Sequence, residues 1–173
     1  LLKTLATDLR HVVAAGDVVW FRPEGVVRGS PDPAQPVVAR SGDRPQQQGI
    51  IERVEPRRGV VSRTSRGRQH VLVANVDQLI IVTSAAEPRL KPNLIDRLLV
   101  TAEKGGIRPI ICINKIDLIE PADLMPLVGV YAQLGYDVVL TSARQNIGID
   151  RLRDWLTGAE SVVSGQSGVG KSS

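Results

Sequence analysis

SVVSGQSGVGKSS, residues 161–173, is a short β-branched run that breaks into a glycine-rich loop. The loop fits G-x-x-x-x-G-K-[ST] through Gly165, Gly170, Lys171 and Ser172. The spacing has a chemical reason. Phosphate oxygens need several N–H donors converging on a small volume, and glycines let the backbone curl until successive amides point inward. Gly165, Gln166, Ser167, Gly168, Val169, Gly170, Lys171, Ser172 and Ser173 are the candidate phosphate-binding set. Lys171 would reach the β- and γ-phosphates, and the Ser172 hydroxyl would coordinate Mg²⁺. A flexible Gly/Ser tail is the bland alternative, and the strand pattern just before the loop argues against it.

Working backwards, strand and helix patterns alternate. QLIIVTSA (78–85) is a short apolar, β-branched run. After Pro92 and Asn93, Leu94, Ile95, Leu98, Leu99 and Ala102 recur at helical spacing, and Gly105 and Gly106 stop the helix. RPIICI (108–113) is the next strand. Leu124, Leu127, Val128, Tyr131 and Leu134 mark a second helix, ended by Gly135. DVVLTSA (137–143) is a third strand, Leu152, Trp155 and Leu156 mark a third helix, and SVVSG closes the series. This alternation predicts an α/β fold, a parallel sheet with flanking helices that binds ligands at the carboxyl ends of its strands.

Two further motifs sit at such ends. NKID (Asn114, Lys115, Ile116, Asp117) follows RPIICI. A carboxylate at Asp117 can accept two parallel N–H bonds, from guanine's ring N–H and its exocyclic amine; adenine offers no such pair. Asn114 would hold the neighbouring loop and touch the base, and the Lys115 stem would pack over the rings. On four letters alone, NKID reads equally as an ordinary strand-to-helix turn. TSA (Thr141, Ser142, Ala143) follows the next strand; in GTPases, which it resembles, the Ala143 amide would meet the guanine carbonyl. Ser142 and Ala143 complete the candidate guanine-binding set.

The order of the motifs is unusual. In a Ras-like GTPase the phosphate loop comes first; here NKID comes first, TSA second and the phosphate loop third. A circular permutation accounts for this, because the same strands can lie side by side under a different chain order. With that order, the chain resembles the family of ribosome small subunit-dependent GTPases A (the RsgA/YjeQ type). The stretches IERVEPRRGVVSRTSRGRQHVLVANVDQLIIV, NLIDRLLV, ICINKIDL and SGQSGVGKSS carry the resemblance, over most of residues 49–173. It implies a cytoplasmic enzyme that binds GTP with Mg²⁺, hydrolyses it when stimulated by the small ribosomal subunit, and acts late in that subunit's maturation. It also implies an N-terminal OB-fold that binds ribosomal RNA, and a C-terminal zinc-binding domain whose ligands are not among these residues. The family's switch threonine and DxxG switch are likewise not among them. Without the helix that follows a phosphate loop, residues 165–173 are expected to be weakly fixed.

The first half differs in rhythm and charge. GDVVWFRP (16–23), GIIERVEP (49–56), VVSRTSRG (60–67) and HVLVANV (70–76) are short strand patterns separated by turns. They predict a small β-barrel; the family resemblance implies that it is OB-fold-like, over residues 1–73, ahead of a permuted GTPase domain over 74–173. Residues 24–48, rich in Gly, Pro, Asp and Gln, read as a long loop. Residues 1–70 hold 12 Lys/Arg against 7 Asp/Glu, whereas residues 71–173 hold 10 against 11. That asymmetry points to a polyanion-facing first half. Arg53, Arg57, Arg58, Arg63, Arg66 and Arg68 lie close together with only Glu55 opposing them, and are the candidate RNA contacts. A solvated barrel face is the bland reading of the same run. Trp20 and Phe21 alternate on the first strand, so one of them is expected in the core.

Composition narrows the class. With 42% hydrophobic and 3% aromatic residues, aliphatic side chains must build the core. No apolar run approaches the ~20 residues of a membrane helix, so no membrane partner is expected. The single cysteine, Cys112, suits a reducing compartment and a buried thiol. The chain opens on Leu1 rather than Met, which suggests that it starts inside a longer sequence; a monomer is expected. Two other functions stay open: an RNA-binding module that senses GTP or GDP with little turnover, and a P-loop ATPase or kinase, against which Asp117 argues.

Overall fold

The computed structural model describes residues 13–24, 48–65 and 67–173. The chain separates into two compact units, Leu1–Pro56 and Arg57–Ser173. In the first, β1 (Val19–Glu24) and β2 (Gln48–Val54) form a two-stranded antiparallel sheet. In the second, β3 (Val60–Ser65) and β4 (Arg68–Ala74) form another antiparallel pair. There follow β5 (Gln78–Ser84), α1 (Pro92–Lys104), β6 (Arg108–Asn114), α2 (Met125–Gln133), β7 (Asp137–Leu140), α3 (Ile149–Leu156) and β8 (Ser161–Gly165).

The last four strands make one parallel sheet in the order β7-β6-β5-β8. All seven residues of β5 are buried, as a central parallel strand with both faces covered requires. Side chains alternate across the pleat, so Leu79 and Ile81 of β5 and Ile111 and Ile113 of β6 join one core. Ile95, Leu99 and Ala102 of α1 and Tyr131 of α2 complete that core. Ile80, Val82, Ile110 and Cys112 face the other side, against Leu152, Trp155 and Leu156 of α3. Gln78, buried at the start of β5, donates from Nε2 to the Trp155 carbonyl and to Ser161 Oγ, both at 2.8 Å, tying α3 and β8 to the central strand. The chain moves outward from β5 through β6 to β7, then returns to lay β8 on β5's other side. That reversal opens a crevice at the carboxyl ends of the central strands, where ligands of such sheets bind.

The unit boundary at Pro56/Arg57 differs from the 73/74 boundary read from sequence by one element, the β3–β4 hairpin. The hairpin joins the second unit through backbone contact: the Val60 amide donates to the Gly105 carbonyl at 3.0 Å, at the end of α1. A Cβ on Gly105 would run into the Val60 carbonyl. Gly105→Ala is therefore expected to destabilise this unit by about 2 kcal/mol, the scale of overpacking, read as a lower urea midpoint; an unchanged midpoint would show that the contact yields freely.

Among the described residues, the strands of the first half form two two-stranded sheets, one in each unit. The expectation of a core aromatic on β1 is corrected: Trp20 is 42% exposed and Phe21 44%. A register shift between them breaks the alternation that the sequence implied. Trp20 Nε1 donates to Glu55, and the Arg53 guanidinium lies 5.2 Å from the indole centroid. The indole N–H, and then Arg53, hold the Glu55 carboxyl below its ordinary range.

Candidate nucleotide site

The three motifs meet at the carboxyl end of the parallel sheet, and Asn114 is the joint. It ends β6, is 4% exposed, and donates from Nδ2 to the Val169 carbonyl of the phosphate loop at 2.9 Å. Its Oδ1 accepts from Thr141 Oγ1 and from the Ala143 amide, each at 3.2 Å. One buried amide thus binds the loop after β7 to the loop after β8. The Ala143 amide, expected to meet the guanine carbonyl, is engaged by Asn114 here.

Lys115 follows in the left-handed conformation, φ 63°. Its Nζ donates to the Glu87 carbonyl at 2.7 Å, in the loop between β5 and α1. Asp117 Oδ1 accepts from Ser142 Oγ at 2.5 Å. Ser142 is fully buried, and its Oγ also accepts from the Gln145 amide at 3.2 Å. Ser142 therefore orients the carboxylate. Ile116, grouped with the base-binding residues from sequence, packs in the core beside Ile113 and Leu124. Its amide donates to the Thr141 carbonyl at 3.2 Å, so its contribution is to anchor the loop.

The phosphate loop leaves β8 at Gly165. Gly168 (φ 80°) and Gly170 (φ 94°) supply the left-handed turns that a curled loop needs. Between them Val169 turns inward and is fully buried with Ile80, Val82, Ile110, Cys112 and Val139. The loop is thus pinned at its middle by a core side chain and a buried hydrogen bond, more firmly than its sequence suggests. Gly170 packs so close to the Asn114 amide that a Cβ there would collide with it. Lys171 Nζ reaches back to the carbonyls of Gly165 and Gln166, at 3.1 and 2.5 Å. Ser167, Lys171, Ser172 and Ser173 are exposed.

A cavity of about 380 Å³ joins the two halves of the site. Asn114, Lys115, Asp117 and Ala143 line it from the base-reading loops, and Ser173 from the phosphate loop. Leu118 and Arg144 also line it and were not singled out from sequence. Each directly follows a recognised motif, and that adjacency was the available signal.

Cys112 lies beneath this site, its Sγ 3.4 Å from Thr141 Oγ1. Burial pushes its thiol above the ordinary range, and the Thr141 contact offsets only part of that. The neutral thiol is then the dominant form at neutral pH. A disulfide reagent should label Cys112 only as fast as the protein opens, and labelling at the rate of a free thiol would contradict its placement.

The six candidate RNA arginines fall in both units. Arg53, in the first unit, pairs with Glu55. Arg58, in the second, pairs with Asp77 at 2.9 Å, and its amide donates to Asn75 Oδ1 at 2.9 Å. Arg57 is half-buried and Arg63 exposed. Arg66 lies outside the described residues; Arg68 begins β4 opposite Ser65.

A phosphate loop that follows its base-reading loops in the chain, yet shares a cavity with them, defines a circularly permuted P-loop nucleotide-binding protein. A family model described as RsgA GTPase matches residues 54–173, and the chain belongs to that family. The small ribosomal subunit biogenesis GTPase RsgA of Sodalis glossinidius is 44% identical over 129 residues, covering 72% of this chain and 37% of that protein. The protein of the same name from Chlorobaculum tepidum is 39% identical over 162 residues, covering 94% and 49%. Among solved structures, YjeQ from Thermotoga maritima matches with a TM-score of 0.57 and 38% identity, covering 72% of this chain and 43% of that one. YloQ, described as a circularly permuted GTPase, matches with a TM-score of 0.58 and 27% identity, covering 98% and 52%. The chain spans about half the length, or less, of these relatives. No described helix is long and apolar enough to cross a membrane.

Proposed function

We propose that the full-length protein binds GTP and hydrolyses it to GDP and phosphate in biogenesis of the small ribosomal subunit, with hydrolysis stimulated by that subunit. The observation that carries the nucleotide assignment is the shared cavity, lined by Asp117 and Ala143 on one side and Ser173 on the other. Asp117, oriented by Ser142, selects guanine through its paired N–H donors. The amides of residues 165–173 and Lys171 hold the phosphates. Mg²⁺ needs little from the protein in such a loop: one hydroxyl, the phosphate oxygens and waters suffice. The exposed Ser172 hydroxyl fits that role, and no group of three His, Cys, Asp or Glu side chains among the described residues competes for the ion. Bound there, Mg²⁺ would offset the charge that develops on the phosphates.

The ribosomal part rests on the names of the relatives and on the excess of basic residues in the first half. In this reading residues 1–73 form an OB-fold-like domain that meets ribosomal RNA through some of Arg53, Arg57, Arg58, Arg63, Arg66 and Arg68. Residues 74–173 form part of the permuted GTPase domain, and the protein works as a cytoplasmic monomer. The test is GTP turnover by the full-length protein with and without purified small subunits. Stimulation by small but not large subunits is expected; equal rates in all three conditions would remove the ribosome-dependent part.

A further inference from the structure

A second cavity, of about 560 Å³, lies between the β5–α1 loop and the phosphate loop. It shares no lining residue with the base cavity. Arg89, Lys91 and Arg97 line it, with Leu90 and Leu94 as apolar wall and Gln166 at the phosphate-loop side. All three cations are exposed. Elsewhere on this unit Arg58, Arg108 and Arg153 each face a carboxylate. Among the described residues, the charged ends of Arg89, Lys91 and Arg97 meet no carboxylate and make no hydrogen bond. No carboxylate lines the cavity, and the first turn of α1 contains none. The nearby Asp96 is taken up by Tyr131, whose hydroxyl donates to Oδ1 at 2.8 Å. Three like charges on one concave surface raise the local positive potential, which favours an anion there. The apolar wall favours an anion that carries an organic portion over a bare ion.

We propose that this cavity is a second binding site, for a phosphate ester, adjoining the nucleotide site at Gln166 but lined by no residue of the base cavity. Phosphate oxygens meet Arg89, Lys91 and Arg97, and the organic portion lies on Leu90 and Leu94. The ester can come from a phosphodiester strand of RNA or from a free phosphorylated small molecule.

The experiment uses the full-length protein and two adenine probes, which the guanine-selective cavity disfavours: a labelled oligoadenylate RNA of ~12 nucleotides and AMP. Binding is compared among the wild type, the Arg89→Gln/Lys91→Gln/Arg97→Gln variant and an equally discharged control, Arg108→Gln/Arg151→Gln/Arg153→Gln. The cavity variant should lose roughly tenfold or more in affinity, and in the RNA arm its salt slope should fall by up to about two. The control should lose about threefold at most, since it removes only diffuse charge. Loss confined to RNA identifies a strand, loss confined to AMP identifies a small ester, and loss of both shows that the site takes a phosphate ester from either source. The proposal is overturned if the cavity and control variants behave alike, or if the wild type binds neither probe. Unfolding midpoints check that the variants fold. Should the triple variant unfold, Lys91→Glu, at an exposed position, gives the same readouts.

Discussion

Asp117→Asn is expected to weaken GDP and GTP binding by on the order of a thousandfold, the scale set by leaving hydrogen-bonding groups mismatched. An amide at this position presents a donor where guanine's ring N–H and amine also present donors. Xanthine carries a carbonyl in place of the amine, so the same variant should gain affinity for xanthine nucleotides. The fold should survive, because Asp117 is half-buried and Ser142 Oγ can donate to an amide oxygen as it does to the carboxylate. Titration of fluorescent GDP and XDP reads both changes. Unchanged GDP affinity in a folded variant would refute the assignment of guanine to Asp117.

Asn114→Ala is expected to act on stability and binding together. It removes three hydrogen bonds from a buried position and leaves the Val169 carbonyl and the Ala143 amide without their partner, while the Thr141 hydroxyl keeps only its contact with Cys112. The stability loss should be about 3 kcal/mol, the sum of unsatisfied buried groups and a small cavity. Nucleotide affinity should fall by roughly a hundredfold even where the chain stays folded, since the phosphate and base loops lose the group that fixes their separation. Asn114→Asp keeps the acceptor for Thr141 and Ala143 but replaces the donor to Val169. It should weaken nucleotide binding while retaining more stability than the alanine variant. Urea unfolding and GDP titration separate the two effects; wild-type values for both would mean that Asn114 does not join the loops.

The parallel sheet was legible because its burial is periodic. The apolar run of β5, the helical spacing of Leu94 to Ala102 and the glycines at 105–106 all fall inside or beside the elements they predicted. The site was legible as three motifs at strand ends, and their order pointed to the permutation. Local letters could not convey which motif residue faces ligand and which faces protein. Ile116 lies between two base-site residues and goes to the core. Ser142 sits behind Asp117, and Ala143's amide turns to Asn114. Val169 looks like filler in a glycine loop, yet it is the side chain that seats that loop in the core. The first half was less legible for two reasons. A register shift overrode the alternation at Trp20 and Phe21. The β3–β4 hairpin packs Val61 and Val73 on the second unit's core and bonds to Gly105 through its backbone, a long-range attachment that its strand pattern alone does not announce.

The central claim is that loops in permuted order form one guanine-selective site. Equilibrium binding of GDP and ADP to the full-length protein in the presence of Mg²⁺ tests it most directly. GDP should bind at least ~100-fold more tightly than ADP, and a Lys171→Ala variant should lose most of that GDP affinity. Equal affinity for the two nucleotides, or GDP binding indifferent to Lys171, would contradict the claim.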